Sequence, residues 1–224
     1  MGERDPAQPL LTLYDGDARV ELSGATTANW VAKSANLLVD SFDGPGPVGL
    51  LLPLHWQTVA LLLAVVTADR TALLVADAHE LGRCGVAFVL AEDAEGALDS
   101  GVDDVLALSG HPLGAPAGPL PALVLDYARE VPSYGDHFAG PRPAAGRIEV
   151  GGRPLKALSG ISAEDRLLTT LAPSDRLGAA ALVGALQAGA SLILVRGGDT
   201  AAVAAAERAT VTAGTAVPGL TWVA

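Results

Sequence analysis

Four histidines, one cysteine and a few short polar runs are the residues here whose types suit chemistry. His55, His79, His111 and His137 lie far apart in the chain. No HExxH or paired-histidine spacing links them, so they do not read as metal ligands. Cys84 stands alone. It has no partner for an intrachain disulfide or a thiolate metal site, and reads as a buried, inert thiol. Asp99, Asp103 and Asp104 read as a solvated acidic face rather than a cation site. Ser159 and Ser162 lie outside any G-x-S-x-G elbow, which argues against a serine hydrolase. Lys33 and Arg83 read as surface charges. No residue is assigned a catalytic role, and no metal is expected.

Two groups remain as candidate cleft residues. His55 and Trp56 follow Pro53 at a strand-to-helix junction. In a doubly wound sheet, ligands bind at the carboxyl ends of strands. Either the pair lines a cleft, or His55 is a helix N-terminal histidine satisfied by backbone or water. Tyr134, Asp136 and His137 form the second group. They are either an acid–base or ligand-contact set, or polar residues of a loop.

These residues are positioned by a parallel α/β framework. Val48–Leu52 is a short apolar run that stops at Pro53. From His55 to Ala68, Trp56, Val59, Leu63 and Val66 follow the helical period. Thr71–Ala76 suits a buried strand. Strand, helix, strand in about thirty residues is a βαβ unit with a right-handed crossover. Before it, Leu11–Tyr14 and Arg19–Leu22 bracket a turn-like Asp15-Gly16-Asp17 and predict a hairpin. A helix capped by Ser23 or Thr26 follows and ends near Asp40. Gly44, Pro45, Gly46 and Pro47 predict a stiff loop.

After the unit, His79–Arg83 predicts a short helix, Val86–Leu90 a strand, and the acidic run from Ala91 to Gly96 a surface loop. Val105–Leu108 reads as a strand or as the last turn of a helix. Ala122–Leu125 predicts a strand. Residues 128–160 are rich in turn formers, with Ile148–Val150 as a short strand and Gly151-Gly152 as its turn. Ser162, followed by Glu164 and Asp165, predicts a helix cap. Leu167–Leu171, Leu177–Ala188 and Ser191–Val195 predict strand, helix and strand, with Gly189 stopping the helix. Thr200–Arg208 predicts a short helix before Val211 and Thr212.

Of 224 residues, 50% are hydrophobic and 17% charged, so a sizeable core is expected. The net charge of −11 argues against nucleic acid and against an anionic membrane surface. The N-terminus carries no apolar signal core, and the most apolar stretch is too short to span a bilayer. A cytoplasmic protein is expected.

The order of these motifs resembles the N-terminal part of the AMP-forming acyl-CoA synthetases, the adenylate-forming superfamily. The residues that carry the resemblance begin with the hairpin, the helix Asn29–Leu38, the Gly44–Pro47 loop, Leu50–Pro53 and the strand Thr71–Val75. Later come Asp165-Arg166-Leu167-Leu168, Leu171-Ala172-Pro173, Gly178, Ala188-Gly189-Ala190 and Val217-Pro218. More narrowly, Glu21–Leu38 with Leu51–Thr58 is similar to a small actinobacterial-type family with no assigned function. The resemblance implies a three-layer αβα fold with a mainly parallel sheet. It also implies one truncated synthetase-like domain over residues 1–224, with a subdomain boundary within 128–160.

The departures bear on activity. The superfamily's phosphate loop is rich in Ser, Thr and Gly and ends in Pro-Lys. In its place stands Ser133-Tyr134-Gly135-Asp136-His137-Phe138. The run Gly151-Gly152-Arg153-Pro154-Leu155-Lys156 is its nearest imitation. Where an aromatic residue or histidine follows the later Leu-Pro of the family, Pro173 is followed by Ser174 and Asp175. The resemblance therefore implies a ligand-binding or interaction module without independent adenylating activity. The alternative is a relic AMP/ATP- or CoA-binding, ligase-like enzyme completed by a partner chain. A small-molecule ligand and a homo-oligomer are the expected partners.

Overall fold

The computed structural model describes residues 5–42, 44, 46–140 and 147–223. Pro45 of the expected stiff loop, and residues 141–146 of the irregular stretch, lie outside the described residues.

The predicted hairpin is β1 (Pro9–Asp15) and β2 (Ala18–Ser23), antiparallel with Leu13 opposite Val20. Helix α1 (Gly24–Ser41) follows, with the Ser23 hydroxyl accepting from Thr26 N at 3.1 Å. The βαβ unit is β3 (Val48–Leu51), α2 (Trp56–Thr67) and β4 (Ala72–Leu74), with Val48 opposite Ala72 in a parallel pair. A 3-10 segment, Ala78–Arg83, is capped by Asp77 and leads to β5 (Val86–Leu90).

The acidic run after β5 is helical, not a loop. A 3-10 turn at Ala91–Asp93 enters α3 (Ala94–Asp99). The physical reason is burial: Ala94 and Ala97 pack fully buried in the core with Val89 and Val105. Strand β6 (Asp104–Leu108) settles the strand-or-helix alternative as a strand, and β7 (Val124–Asp126) follows. In the turn-rich stretch, β8 (Ile148–Val150) is the short strand expected there, and α4 (Tyr127–Glu130) and β9 (Arg153–Pro154) are additional elements.

No helix starts at Ser162. Its N–H and hydroxyl both donate to Asp165 Oδ2, closing a turn instead of capping a helix. Then come β10 (Arg166–Thr169), α5 (Arg176–Ala188), β11 (Ser191–Val195), α6 (Thr200–Ala206), β12 (Val211–Ala213) and β13 (Thr221–Trp222). Asp175 caps α5, and Gly189 ends it in the left-handed conformation.

The fold is of the three-layer α/β class with mainly parallel sheets. The chain forms two compact units. The first comprises Met1–Thr27, Leu54–Trp56 and Leu155–Ala224. Its sheet runs β13-β12-β10-β11-β1-β2, parallel except for β1 with β2. β11 lies inside this sheet with all five residues buried, which is why it reads as continuous aliphatics. Each fully buried Leu or Ile contributes about 1.5–3 kcal/mol. On α5, the backbone of Leu158 lies against Gly184, and Leu158 N donates to Ala180 O at 2.9 Å.

The second unit comprises Ala28–Pro53 and Gln57–Pro154. Its sheet runs β7-β6-β5-β3-β4-β8-β9, and only β8 with β9 is antiparallel. Tyr127 is fully buried in it, edge-on to Phe88 at 5.8 Å between ring centroids. Its hydroxyl shares a 2.8 Å hydrogen bond with Ser34, whose own hydroxyl donates to Trp30 O.

Candidate functional site

The candidate residues fall in two places. His55 and Trp56 belong to the first unit, and Tyr134, Asp136 and His137 to the second. In chain order, the carboxyl end of β3 leads through Leu52-Pro53-Leu54 to His55, and α2 begins at Trp56. His55 is 3% and Trp56 2% exposed, with ring centroids 5.5 Å apart and planes tilted by 34°.

Tyr134, Asp136 and His137 lie on a segment held to α1 through the segment's own carbonyl oxygens. Lys33 Nζ donates to Tyr134 O, and Asn36 Nδ2 donates to Gly135 O and His137 O at 2.8 and 3.0 Å. Ser41 Oγ and the Tyr134 hydroxyl share a 2.6 Å hydrogen bond. Lys33, read from the sequence as a plain surface charge, is therefore a tether. Asp136 and His137 are themselves exposed. From Val131 to Gly140 there is no lysine or arginine. The nearest imitation of a phosphate loop is a hairpin turn: Gly151 and Gly152, at φ +55° and +70°, connect β8 to β9. Glycine meets that left-handed requirement without strain.

Two polar clusters of the first unit went unseen in the sequence. One lies where β10 is flanked by β11 and β12, the point at which the strand order reverses. At the carboxyl ends of these strands, Thr170 and Thr215 hydroxyls share a 2.9 Å hydrogen bond, and Thr212 donates to Thr215 O at 2.7 Å. Pro173-Ser174-Asp175 follows, and Asp175 Oδ1 accepts from Leu177 N and Gly178 N as the cap of α5. The Thr212 hydroxyl and the Asp175 carboxylate hold backbone, while the Thr170 and Thr215 hydroxyls hold each other, which suits a rigid rim.

The second cluster centres on Glu207, whose side chain is 8% exposed. It accepts from the Tyr14 hydroxyl at 2.7 Å, Arg19 Nε at 2.8 Å and Arg166 Nη2 at 2.9 Å. Burial alone would raise its pKa. The hydrogen bonds from Arg19 and Tyr14, with the charges of Arg19 and Arg166, outweigh burial and hold the carboxyl below the usual glutamate value. Tyr14 moves the other way, raised by burial and by the adjacent Glu207 carboxylate. The signal in the sequence was faint, because Glu207 and Tyr14 lie 193 positions apart.

Cys84 is buried, and burial pushes its thiol up to about 11. Asp99, Asp103 and Asp104 are exposed. Among the described residues, no three His, Cys, Asp or Glu side chains gather as a metal would require. Among them too, no helix is long and apolar enough to cross a membrane.

No family model matches the chain. Over 211 residues it is 38% identical to the TIGR03089 family protein of Mycobacterium tuberculosis (strain ATCC 25618 / H37Rv), covering 88% of this chain and 86% of that one. Solved structures share its fold. Against an acyl-CoA synthetase of Brucella canis the TM-score is 0.76 at 16% identity, over 95% of this chain and 46% of that one. Against ATP-bound MatB from Rhodopseudomonas palustris it is 0.68 at 19% identity, over 94% and 46%. Against the N-terminal domain of FACL13 from M. tuberculosis it is 0.63 at 17% identity, over 93% and 59%. The chain thus spans less than half the length of the first two structures. At these identities the likeness is one of fold.

Proposed function

We propose, from the premise that this chain belongs to the TIGR03089 family, that it is a synthetase-fold ligand-binding or interaction module that does not adenylate a substrate by itself. One observation carries this reading. The segment that the resemblance sets in the phosphate loop's place has an exposed carboxylate, Asp136, and no lysine or arginine between Val131 and Gly140. A nucleotide triphosphate needs N–H groups, hydroxyls and cations around it. A carboxylate about 4 Å from one phosphate charge opposes it by ~4 kcal/mol at an effective dielectric near 20.

Ligand contact is proposed separately at two places: at Asp136 and His137 beside Tyr134, and at His55 and Trp56. The latter pair needs the first turn of α2 to open, because both side chains are buried. A homo-oligomer in the cytoplasm is part of the proposal. Leu123 is 89% and Trp222 60% exposed, and burying such side chains is what self-association accomplishes. Light scattering on a sizing column is expected to give at least a dimer; a monomer at all concentrations contradicts this part.

A second reading has a specific observation in its favour. ATP-bound MatB shares this fold over 94% of the chain. On that reading the chain is a relic AMP/ATP or CoA binder that a partner completes. Calorimetric titration with ATP, AMP, CoA and an acyl-CoA separates the two. The favoured reading expects no saturable heat from ATP, whereas saturable ATP binding moves the balance to the relic enzyme.

A further inference from the structure

A groove of about 680 Å³ opens within the second unit, at the amino-terminal ends of β3 and β4. This is the edge opposite the one where α/β sheets usually bind ligands. Its volume is in the range of small-molecule sites. The apolar part of its lining is Leu38, Val39 and Phe42 from the end of α1, with Pro47 ahead of β3. Val39 is 51% exposed, an aliphatic side chain left open to solvent.

The lining also carries two guanidinium groups, Arg70 and Arg83. Arg70 donates to the carbonyl oxygens of Phe42, Gly44 and Gly46, which fixes the groove's wall. Among the described residues no carboxylate lies within 4 Å of it. Arg83 is half exposed and pairs with Glu149 at 3.1 Å. Arg83 also lines an adjoining hollow of about 290 Å³, with His79 and the Gly151-Gly152 turn. Asp69, the other acid lining the groove among the described residues, is exposed just after α2.

We propose that this groove binds a small amphiphilic anion, its apolar body over Val39 and Phe42 and its carboxylate or phosphate head at Arg83. Glu149 then acts as a built-in competitor that the ligand's head displaces from the guanidinium. This follows from the geometry, since an arginine fork matches either head group and the pair is partly solvated, so the exchange is close to even. The groove involves none of the residues proposed above for ligand contact, and its binding does not depend on whether the chain adenylates.

The test is calorimetric titration of the whole chain with hexanoate and with hexyl phosphate, using hexanol and inorganic phosphate as controls. The expected result is saturable binding of at least one amphiphile, more tightly than either control. The arm that responds identifies the head group. Arg83→Gln and Val39→Asp, both at half-exposed positions, are each expected to weaken binding roughly tenfold, equivalent to about 1.4 kcal/mol. Glu149→Gln is expected to tighten it by about threefold, because the competing carboxylate is gone. A merely structural role for the Arg83–Glu149 pair has no such opposite signs. The proposal fails if neither amphiphile saturates below about 10 mM. It also fails if the controls bind equally well, or if Arg83→Gln and Val39→Asp leave binding unchanged.

Discussion

Glu207→Gln is expected to lower the stability of the first unit by about 2 kcal/mol at neutral pH. The wild-type carboxylate accepts three hydrogen bonds of 2.7–2.9 Å, two of them from guanidinium groups. A hydrogen bond to a charged partner contributes about 1.5–3 kcal/mol. Glutamine keeps the shape and one acceptor oxygen, but loses the charge and one acceptor. The loss is tempered because Arg19 is 42% exposed and has Glu21 within reach. Arg166, at 23%, has less access to water. Glu207→Ala leaves both guanidiniums facing an empty space and is expected to cost about 3–4 kcal/mol.

The pH dependence follows from the direction of the shift. The folded pKa lies below the unfolded one, so the contribution is complete above the unfolded glutamate value of about 4.3. It disappears as pH falls through the depressed folded value. The gap between wild type and Glu207→Gln should therefore stay constant above about pH 5 and narrow in acid. Urea unfolding from pH 3 to 7, with amide exchange at β10, β11 and β12 to isolate this unit, reads both quantities. A gap under about 0.5 kcal/mol at pH 7, or one that does not close in acid, refutes the reasoning.

Tyr127→Phe and Ser34→Ala are each expected to cost about 1 kcal/mol in urea unfolding, and the double variant less than their sum, because they share one buried hydrogen bond. Gly184→Ala is expected to destabilise by about 1–3 kcal/mol, as its new Cβ meets backbone that cannot step aside as a side chain can; the displaced atom would be Leu158 O, and a melting curve checks the loss. Cys84, raised to about 11 by burial, should resist a thiol reagent at pH 8 in the folded protein and react at once in urea.

The βαβ unit was legible because its apolar run, proline stop and helical period are local signals. Of its periodic residues, Trp56 and Val59 are buried and Leu63 and Val66 half-buried, and the two flanking strands pair in parallel. The same holds for β11, whose five consecutive buried residues leave no other reading. α3 was missed because its buried face is made of alanines, Ala94 and Ala97, inside an acidic run. The cap read at Ser162 failed because one carboxylate, that of Asp165, captured both its N–H and its hydroxyl. The tether from Lys33 to Tyr134 and the arginines around Glu207 join residues 101, 188 and 41 positions apart. Such pairings are set by the tertiary fold and leave no periodic trace. The groove beside Arg70 was invisible for the same reason. Gly151-Gly152, by contrast, was correctly read as a turn from its residue types alone.

The most direct test of the central claim is pyrophosphate exchange. The chain is mixed with magnesium ATP, a panel of aliphatic and aromatic carboxylates, and labelled pyrophosphate. A chain that forms an acyl adenylate reversibly transfers the label into ATP. On the proposed reading, which sets Asp136 and no lysine or arginine in the phosphate loop's place, no carboxylate is expected to raise labelling above the protein-free blank. Carboxylate-dependent labelling that disappears on heat denaturation would contradict the account.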